Sequence, residues 1–173
     1  QFEESLKSVK PRVFMNGKQI ESILENKNTR TVIEANKASY AWALDPKYKD
    51  IMTCYSPLIN DTVNRYTHVS TSTDELVAKA QAGTFTAEML GTCIYRCVGY
   101  DSFHSLYATT WEMDKELGTE YHPRFLEYLK MVQKNDLSVA GALTEARGSR
   151  KEKIPDWPDP YLSLKIVDKN KDG

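Results

Sequence analysis

The sequence predicts a mainly α-helical domain that is followed by the first strand of a β-domain. Apolar residues recur at helical spacing from Thr29 to Leu44 and again from Thr86 to Leu117, whereas residues near the end of the chain alternate with a period of two. Helical periodicity over such lengths is typical of amphipathic helices that pack on a core. At 173 residues, the chain is long enough for one domain with a sizeable core.

The first predicted elements are a short hairpin and a long helix. Two short apolar runs flank Asn16 and Gly17. This pair predicts a type I′ turn, which needs positive φ at both positions. The helix from Thr29 ends at Asp45, because a residue that precedes proline avoids the α conformation.

The middle of the chain is predicted to hold a loop and two further helices. Residues 48–73 are mostly polar, with scattered apolar residues, and predict a loop. Thr73 is the expected N-cap of a short helix that ends at Gly83. A long helix is predicted from Thr86 to Leu117, with Gly118 as its C-terminal stop.

The last part of the chain predicts one more helix and the start of a sheet. That helix opens with Pro123 at its first position. The strand pattern comes from Leu162, Leu164 and Ile166, which alternate with their neighbours. One strand cannot satisfy its own backbone groups. We therefore expect residues 1–155 to form the helical domain and residues 156–173 to begin a truncated β-domain of a longer protein.

Composition and charge exclude several classes of function. The chain has 23 Lys and Arg against 24 Asp and Glu and no basic stripe, which argues against nucleic-acid binding. It has no apolar run of roughly 18 residues and no signal-peptide pattern, so we expect no membrane span. Three cysteines, an odd number, predict a reducing, cytoplasmic setting rather than a disulfide scaffold.

Two of the three cysteines, Cys93 and Cys97, lie four residues apart inside the predicted long helix. On a helix, residues at this spacing share one face, so both thiols can reach a common point. Two converging thiolates suit a thiophilic metal or an iron–sulfur cluster. Spacing alone leaves the alternative open that both are packing residues, because cysteine is often buried as a small hydrophobe.

The sequence offers no convincing third ligand for such a site. His104 lies on the same stripe as the cysteines, but seven residues past Cys97 correspond to about 10 Å of helical rise. A helix-surface histidine is the simpler interpretation. His68 and His122 lie in predicted loops, Cys54 stands alone, and neither a phosphate-binding loop nor a nucleophile elbow is present. The acidic residues between Trp111 and Tyr121 predict a solvated helix face.

Four long segments carry a resemblance to a known family. They match the N-terminal part of the acyl-CoA dehydratase branch of the flavin-dependent 4-hydroxyphenylacetate 3-hydroxylase family, in order and over nearly the whole chain. The segments are ESLKSVKPRVFMNGKQIE, LDPKYKDIMTCYSPLINDTVNR, CIYRCVGYDSFHSLYATTWEMDKELGTEYHPRFLEYLKMVQKNDL and PDPYLSLKIVDKNKDG.

The resemblance implies a subunit built like acyl-CoA dehydrogenases, in which this chain is the N-terminal helical domain plus the opening strand of the central β-domain. It implies two cofactors, FAD and a [4Fe–4S] cluster. Three cysteines and one histidine hold the cluster in the dehydratase branch, and two of those cysteines match Cys93 and Cys97. The other two ligands are expected beyond Gly173.

The resemblance also implies a flavin contact in the loop after the last helix. The residues that match it are Ala142, Leu143, Thr144, Glu145, Ala146, Arg147, Gly148 and Ser149. Tyr95, between the two cysteines, replaces a glutamine of the dehydratase branch and is the one candidate catalytic residue. Further departures at Thr84 and across 145–149 leave the acyl-CoA substrate open.

The implied reaction is dehydration of the 4-hydroxybutyryl-CoA to crotonyl-CoA type, with vinylacetyl-CoA isomerisation as an accompanying activity. FAD would take a hydrogen from the substrate while one iron acts as a Lewis acid toward the leaving hydroxyl. The implied partners are an acyl-CoA substrate, the remainder of the subunit and a homotetramer of the full-length protein. The alternative is a two-component flavin-dependent aromatic hydroxylase, which needs no iron. In either case we expect the isolated fragment to be inactive.

Overall fold

The computed structural model describes residues 1–94 and 96–139, and these residues form a mainly helical domain, as predicted. The first 140 residues make up one compact unit. The helices are α1 Phe2–Val9, α2 Lys27–Leu44, α3 Lys49–Met52, α4 Thr73–Leu90, α5 Cys97–Leu117 and α6 Tyr121–Lys134. The strands are β1 Phe14–Met15, β2 Lys18–Gln19, β3 Thr53–Ser56 and β4 Asp61–Asn64, and a 3-10 helix spans Arg65–Thr67.

The short N-terminal hairpin is confirmed. Strands β1 and β2 are antiparallel, with Phe14 opposite Gln19 and Met15 opposite Lys18. Asn16 and Gly17 connect them with φ of 52° and 74°, so both turn residues are left-handed. The predicted strand at 162–167 and the boundary at 155 lie outside the described residues.

The ends of three helices agree with the sequence to within about two residues. Helix α2 ends at Leu44, before Asp45, as predicted. Helix α5 ends at Leu117, and its C-cap Gly118 has a φ of 65°, which lies in the left-handed region. The N-cap of α4 is Ser72 rather than Thr73, and its hydroxyl accepts a hydrogen bond from the Glu75 backbone N–H.

The predicted position of the break between the two middle helices is wrong. Helix α4 passes through Gly83 and ends at Leu90, and the predicted helix from Thr86 to Leu117 is interrupted. Gly91 adopts a φ of 65°, and its N–H donates to the Ala87 carbonyl in a C-cap. A helical glycine costs only about 1 kcal/mol, which the packing of buried neighbours such as Ala82 offsets. Positive φ, by contrast, ends a helix outright.

The segment predicted as a polar loop contains helix α3 and a second hairpin. Strands β3 and β4 pair in antiparallel register from Thr53 opposite Asn64 to Ser56 opposite Asp61. Asn60, with a φ of 54°, lies in the connection. This hairpin packs against α6 through Ser56, whose hydroxyl donates to the buried Gln133 side chain.

Two clusters of buried side chains form the core, and helix α5 contributes to both. One cluster contains Val69, Phe103, Phe125, Leu129 and Val132. The other contains Met52, Tyr66, Ile94 and Tyr100. None of the helices in the described part of the chain has the length and apolar character needed to cross a membrane.

Candidate functional site: a cysteine pair at the start of helix α5

The sulfur atoms of Cys93 and Cys97 lie 3.0 Å apart. The prediction that one helical face carries both residues is wrong. Cys93 lies in the connection that follows Gly91, and Cys97 is the first residue of α5. The thiols therefore meet at the N-terminal end of the helix. At 3.0 Å the sulfurs are in contact without a disulfide, whose bond length is about 2.05 Å.

The environments of the two thiols differ. Cys93 is exposed, whereas Cys97 is half-buried. Burial raises the pKa of the Cys97 thiol, and the neighbouring Cys93 raises it further. The backbone N–H groups of Val98 and Cys97 oppose this by lowering the pKa. The Cys97 thiol therefore keeps its proton at physiological pH, and a metal that bound it would have to displace that proton.

Buried aromatic and apolar side chains form the floor under the pair. Cys97 packs against the cluster that contains Met52, Tyr66, Ile94 and Tyr100. The Tyr66 hydroxyl shares a hydrogen bond with Thr86 at 3.1 Å. Burial raises the pKa of Tyr66, and it raises the pKa of Tyr100 to about 12. Both phenols therefore stay neutral at physiological pH, and the floor presents no charge to the thiols.

Two polar side chains, Asn36 and Arg96, anchor the residues that lie between the two cysteines. Neither of them was predicted from the sequence. Asn36 donates from its amide nitrogen to the Ile94 carbonyl at 2.9 Å. Arg96, only 2% exposed, donates to Ser39 at 3.1 Å and to the Asp136 carboxylate at 2.8 Å. The partners of Arg96 lie 57 and 40 residues away in the sequence, so no local sequence pattern predicts these contacts.

The donor set fits two ligands of an iron–sulfur cluster. Two thiols converge to 3.0 Å, and thiolates are the preferred ligands of such clusters. Within residues 1–94 and 96–139, no group of three or more His, Cys, Asp and Glu side chains could hold a metal ion. A cluster at this pair would need further ligands from outside this part of the chain. Tyr95 and the loop 142–149 lie outside the described residues, so their predicted roles stay predictions.

The other candidate ligands, His104, His122 and Cys54, each occupy a defined position in the fold. His104 is half-buried, unlike the surface histidine predicted: its Nε2 accepts the Ser70 N–H at 2.8 Å, and its Nδ1 lies 3.1 Å from the Tyr100 carbonyl. Burial lowers its pKa. The prediction that His122 lies in a loop is wrong: it is the second residue of α6, and its Nδ1 lies 3.0 Å from the Thr110 hydroxyl. Cys54 lies on strand β3, and burial raises the pKa of its thiol to about 11, which makes it a poor nucleophile and ligand.

Gly99 holds helix α5 close to the chain that follows α6. A Cβ atom built on Gly99 would lie 2.0 Å from the Val139 carbonyl oxygen, which is backbone. We expect Gly99→Ala to destabilise the fold by about 1–3 kcal/mol, because the overpacking cost exceeds the gain of about 1 kcal/mol in helix propensity. Gly83→Ala is the matched control, since nothing lies within 4 Å of its Cβ position in α4, and it should stabilise the fold. Urea unfolding of both variants measures the difference, and a Gly99→Ala variant as stable as Gly83→Ala would contradict the close contact.

The whole chain matches one family model. Residues 1–173 fit the family described as 4-hydroxyphenylacetate 3-hydroxylase N terminal. The chain belongs to the 4-hydroxyphenylacetate 3-hydroxylase family. The recognition made from the sequence is confirmed.

Individual members of the 4-hydroxyphenylacetate 3-hydroxylase family differ in their similarity to the chain. It is 40% identical over 173 residues to 4-hydroxybutyryl-CoA dehydratase/vinylacetyl-CoA-Delta-isomerase of Clostridium aminobutyricum. It is 25% identical over 181 aligned residues to the oxygenase component of 4-hydroxyphenylacetate 3-monooxygenase of Geobacillus sp. (strain PA-9). Each alignment covers 100% of the chain and 35% of the relative, so the chain spans about a third of the length of these relatives.

Among solved structures of the family, a dehydratase is again more similar to the chain than the oxygenase component. The oxygen-tolerant archaeal 4-hydroxybutyryl-CoA dehydratase from N. maritimus superposes with a TM-score of 0.88 and 34% identity, over 98% of this chain and 34% of that chain. The oxygenase component of 4-hydroxyphenylacetate 3-monooxygenase, complexed with FAD and 4-hydroxyphenylacetate, superposes with a TM-score of 0.70 and 18% identity, over 98% and 35% of the two chains. The second match supports the fold alone.

Proposed function

We propose that the chain is the N-terminal domain of an acyl-CoA dehydratase that converts 4-hydroxybutyryl-CoA to crotonyl-CoA and isomerises vinylacetyl-CoA. The observation that carries this proposal is the 40% identity to the Clostridium enzyme along the whole chain, against 25% to the monooxygenase component. The TM-scores of 0.88 and 0.70 support the same choice.

The cysteine pair supports the iron-dependent reaction over the iron-free one. We propose that Cys93 and Cys97 supply two ligands of a [4Fe–4S] cluster and that FAD contacts the loop 142–149. When bound, the cluster supplies a Lewis-acidic iron toward the leaving hydroxyl, and FAD supplies a hydrogen acceptor. The two thiols would bind different irons of such a cluster, because every iron takes one thiolate.

The residues around the pair do three things for this chemistry. Backbone N–H groups at the helix start partly offset the effect by which burial raises the pKa of Cys97. The uncharged floor of Tyr66 and Tyr100 keeps a dry, low-dielectric wall beneath the sulfurs. Asn36 and Arg96 hold the residues next to the two thiols, because Asn36 bonds the Ile94 carbonyl and Arg96 bonds the Asp136 carboxylate.

Several features of the full-length protein belong to the same proposal. We propose that the chain up to residue 155 is one domain of an acyl-CoA dehydrogenase-like subunit and that residues 156–173 begin the next. The subunit would act as a homotetramer in the cytoplasm on an acyl-CoA substrate. With two of four ligands, the fragment alone is expected to be inactive.

Substrate turnover by the full-length protein tests the proposal against the aromatic hydroxylase. We expect anaerobic preparations to dehydrate 4-hydroxybutyryl-CoA, because iron and FAD assemble only in the complete subunit. The same preparations should leave 4-hydroxyphenylacetate unchanged when reduced flavin and oxygen are supplied. Chromatographic analysis of both reactions measures the outcome. Hydroxylation of the aromatic substrate by an iron-free protein would overturn the dehydratase assignment.

A further inference from the structure

One face of helix α2 contacts the connection between the two cysteines. Asn36, Ser39 and Tyr40 lie at positions i, i+3 and i+4, so they project from the same side of the helix. Each of them contacts either Ile94 or Arg96. We call this set the α2 clamp.

Asn36 uses both ends of its side-chain amide. Its Nδ2 donates to the Ile94 carbonyl at 2.9 Å, and its Oδ1 accepts from the Ser138 hydroxyl at 3.0 Å. Ile94 is only 2% exposed, and it belongs to no helix or strand. A buried carbonyl outside regular structure needs a hydrogen-bond partner, and the Asn36 amide supplies one.

Arg96 fixes the other end of the connection. Its guanidinium donates to the Ser39 hydroxyl and the Asp136 carboxylate, lies 3.3 Å from the Leu137 carbonyl oxygen, and stacks 4.4 Å from the centre of the Tyr40 ring. Fork geometry, charge and a planar stacking face come together in arginine alone. The side chain therefore has one arrangement rather than several.

We propose that Asn36 is a positioning residue that, together with Arg96, sets the separation of the Cys93 and Cys97 thiols. Cys93 directly precedes Ile94, and Cys97 directly follows Arg96, so each thiol is one peptide unit from an anchored residue. The connection after Gly91 is irregular, and without anchors its backbone would sample many conformations at an entropic advantage. The clamp removes that freedom before any metal binds.

The importance of this geometry for catalysis rests on the proposed function, but the geometry itself is measurable without iron. In a glutathione redox buffer, the two thiols lose two protons and two electrons and form one S–S bond. Glutathione disulfide takes up both electrons and both protons, and its S–S bond breaks to give two glutathione thiols. The equilibrium constant reports how often the two sulfurs are in contact.

The test uses the full-length protein, prepared iron-free and without oxygen, in wild-type form and with Asn36→Leu. Differential alkylation and peptide mass spectrometry quantify the Cys93–Cys97 disulfide across glutathione ratios. We expect Asn36→Leu to lower the equilibrium constant about tenfold, which corresponds to about 30 mV for two electrons. Ser138→Ala is the matched control: it removes the other hydrogen bond of Asn36 but leaves the Ile94 contact, and it should change the constant less than about twofold.

Thermal unfolding of the same samples separates positioning from stability. A variant that melts at a lower temperature but keeps the wild-type disulfide equilibrium would show that Asn36 is merely structural, and the inference would be overturned. If Asn36→Leu fails to fold, Asn36→Ser takes its place, because its short hydroxyl cannot span the same distance to the Ile94 carbonyl. An unchanged equilibrium in folded Asn36→Ser would likewise overturn the inference. An iron-free wild-type protein that hydroxylates 4-hydroxyphenylacetate would instead defeat the dehydratase proposal while leaving the thiol geometry intact.

Discussion

Replacing Cys93 or Cys97 by alanine in the full-length protein is expected to remove its iron and its dehydratase activity together. Each thiolate would fill one iron corner of the cluster, so either substitution exposes a corner to solvent. Loss of an outer-shell partner alone weakens metal binding by about 10–100-fold. Loss of a ligand should therefore lower iron content and turnover by at least about tenfold.

The same substitutions should leave the fold and the bound FAD largely in place. Cys93 is exposed, so alanine there should change the stability of the fold little. Cys97 is half-buried, and losing its sulfur should cost on the order of 1 kcal/mol. Serine is a poorer probe, because its hydroxyl can coordinate weakly or demand a new partner against the apolar floor.

Cys54→Ala is the matched control for this experiment. Its thiol lies on strand β3, and burial raises its pKa to about 11, so it should take no part in metal binding. Iron and sulfide analysis, the flavin absorbance and turnover are measured on all three variants. Full iron content in Cys93→Ala or Cys97→Ala would show that the ligands lie elsewhere. An iron-free wild-type protein with dehydratase activity would remove the cluster from the proposal altogether.

Local sequence signals predicted most of the helical architecture. Asn16-Gly17, Asp45-Pro46 and Gly118 act through the conformations of single residues, and the structure follows them. Gly83 and Gly91 look alike in sequence, but only Gly91 adopts positive φ. Which glycine ends the helix depends on burial of the residues around each, and that is decided by tertiary packing.

The acidic residues after Trp111 also show that tertiary contacts decide what local sequence patterns cannot. Glu112 and Glu116 are exposed, as a solvated face predicts. Asp114 is different, because its carboxylate accepts hydrogen bonds of 2.7 Å from the Thr119 hydroxyl and from the backbone N–H groups of Tyr121 and His122. It therefore caps the start of α6 from the end of α5. Asp114 lies four residues before the C-cap Gly118, close enough to reach the start of α6. Helical periodicity alone does not predict this capping role.

Of the candidate site, only the pairing of the two cysteines could be predicted from the sequence. Spacing placed Cys93 and Cys97 together, although their convergence arises from a turn rather than from one helix face. Asn36 was not predictable, since its bond to Ile94 spans 58 residues. Arg96 is one of 23 Lys and Arg residues, and nothing local distinguishes a buried arginine from a solvated one.

A second buried arginine is expected to carry a large share of the stability of the fold. Arg65 is 9% exposed, and its guanidinium donates to three backbone carbonyls: to Ile51 at 2.8 Å, to Asp50 at 3.0 Å and to Thr53 at 2.6 Å. These carbonyls lie at the C-terminal end of α3 and the start of β3. Helix carbonyls at this end lack intrahelical partners and carry partial negative charge. Arg65 thus joins the helix to the hairpin that follows it.

Arg65→Met should destabilise the domain by about 3 kcal/mol. Each hydrogen bond from a charged donor contributes about 1.5–3 kcal/mol, while the desolvation of the guanidinium, which methionine avoids, offsets part of the sum. Arg65→Lys should lose an intermediate amount, because an ammonium group cannot reproduce the planar fork. Arg12→Met is the control: Arg12 is exposed, and its replacement should stay within about 0.5 kcal/mol of wild type. Urea unfolding gives the three free energies. Equal stability of Arg65→Met and Arg12→Met would mean that water satisfies the α3 carbonyls. A free energy of unfolding that rises from Arg65→Met to Arg65→Lys to wild type would instead locate the stabilisation in the guanidinium fork.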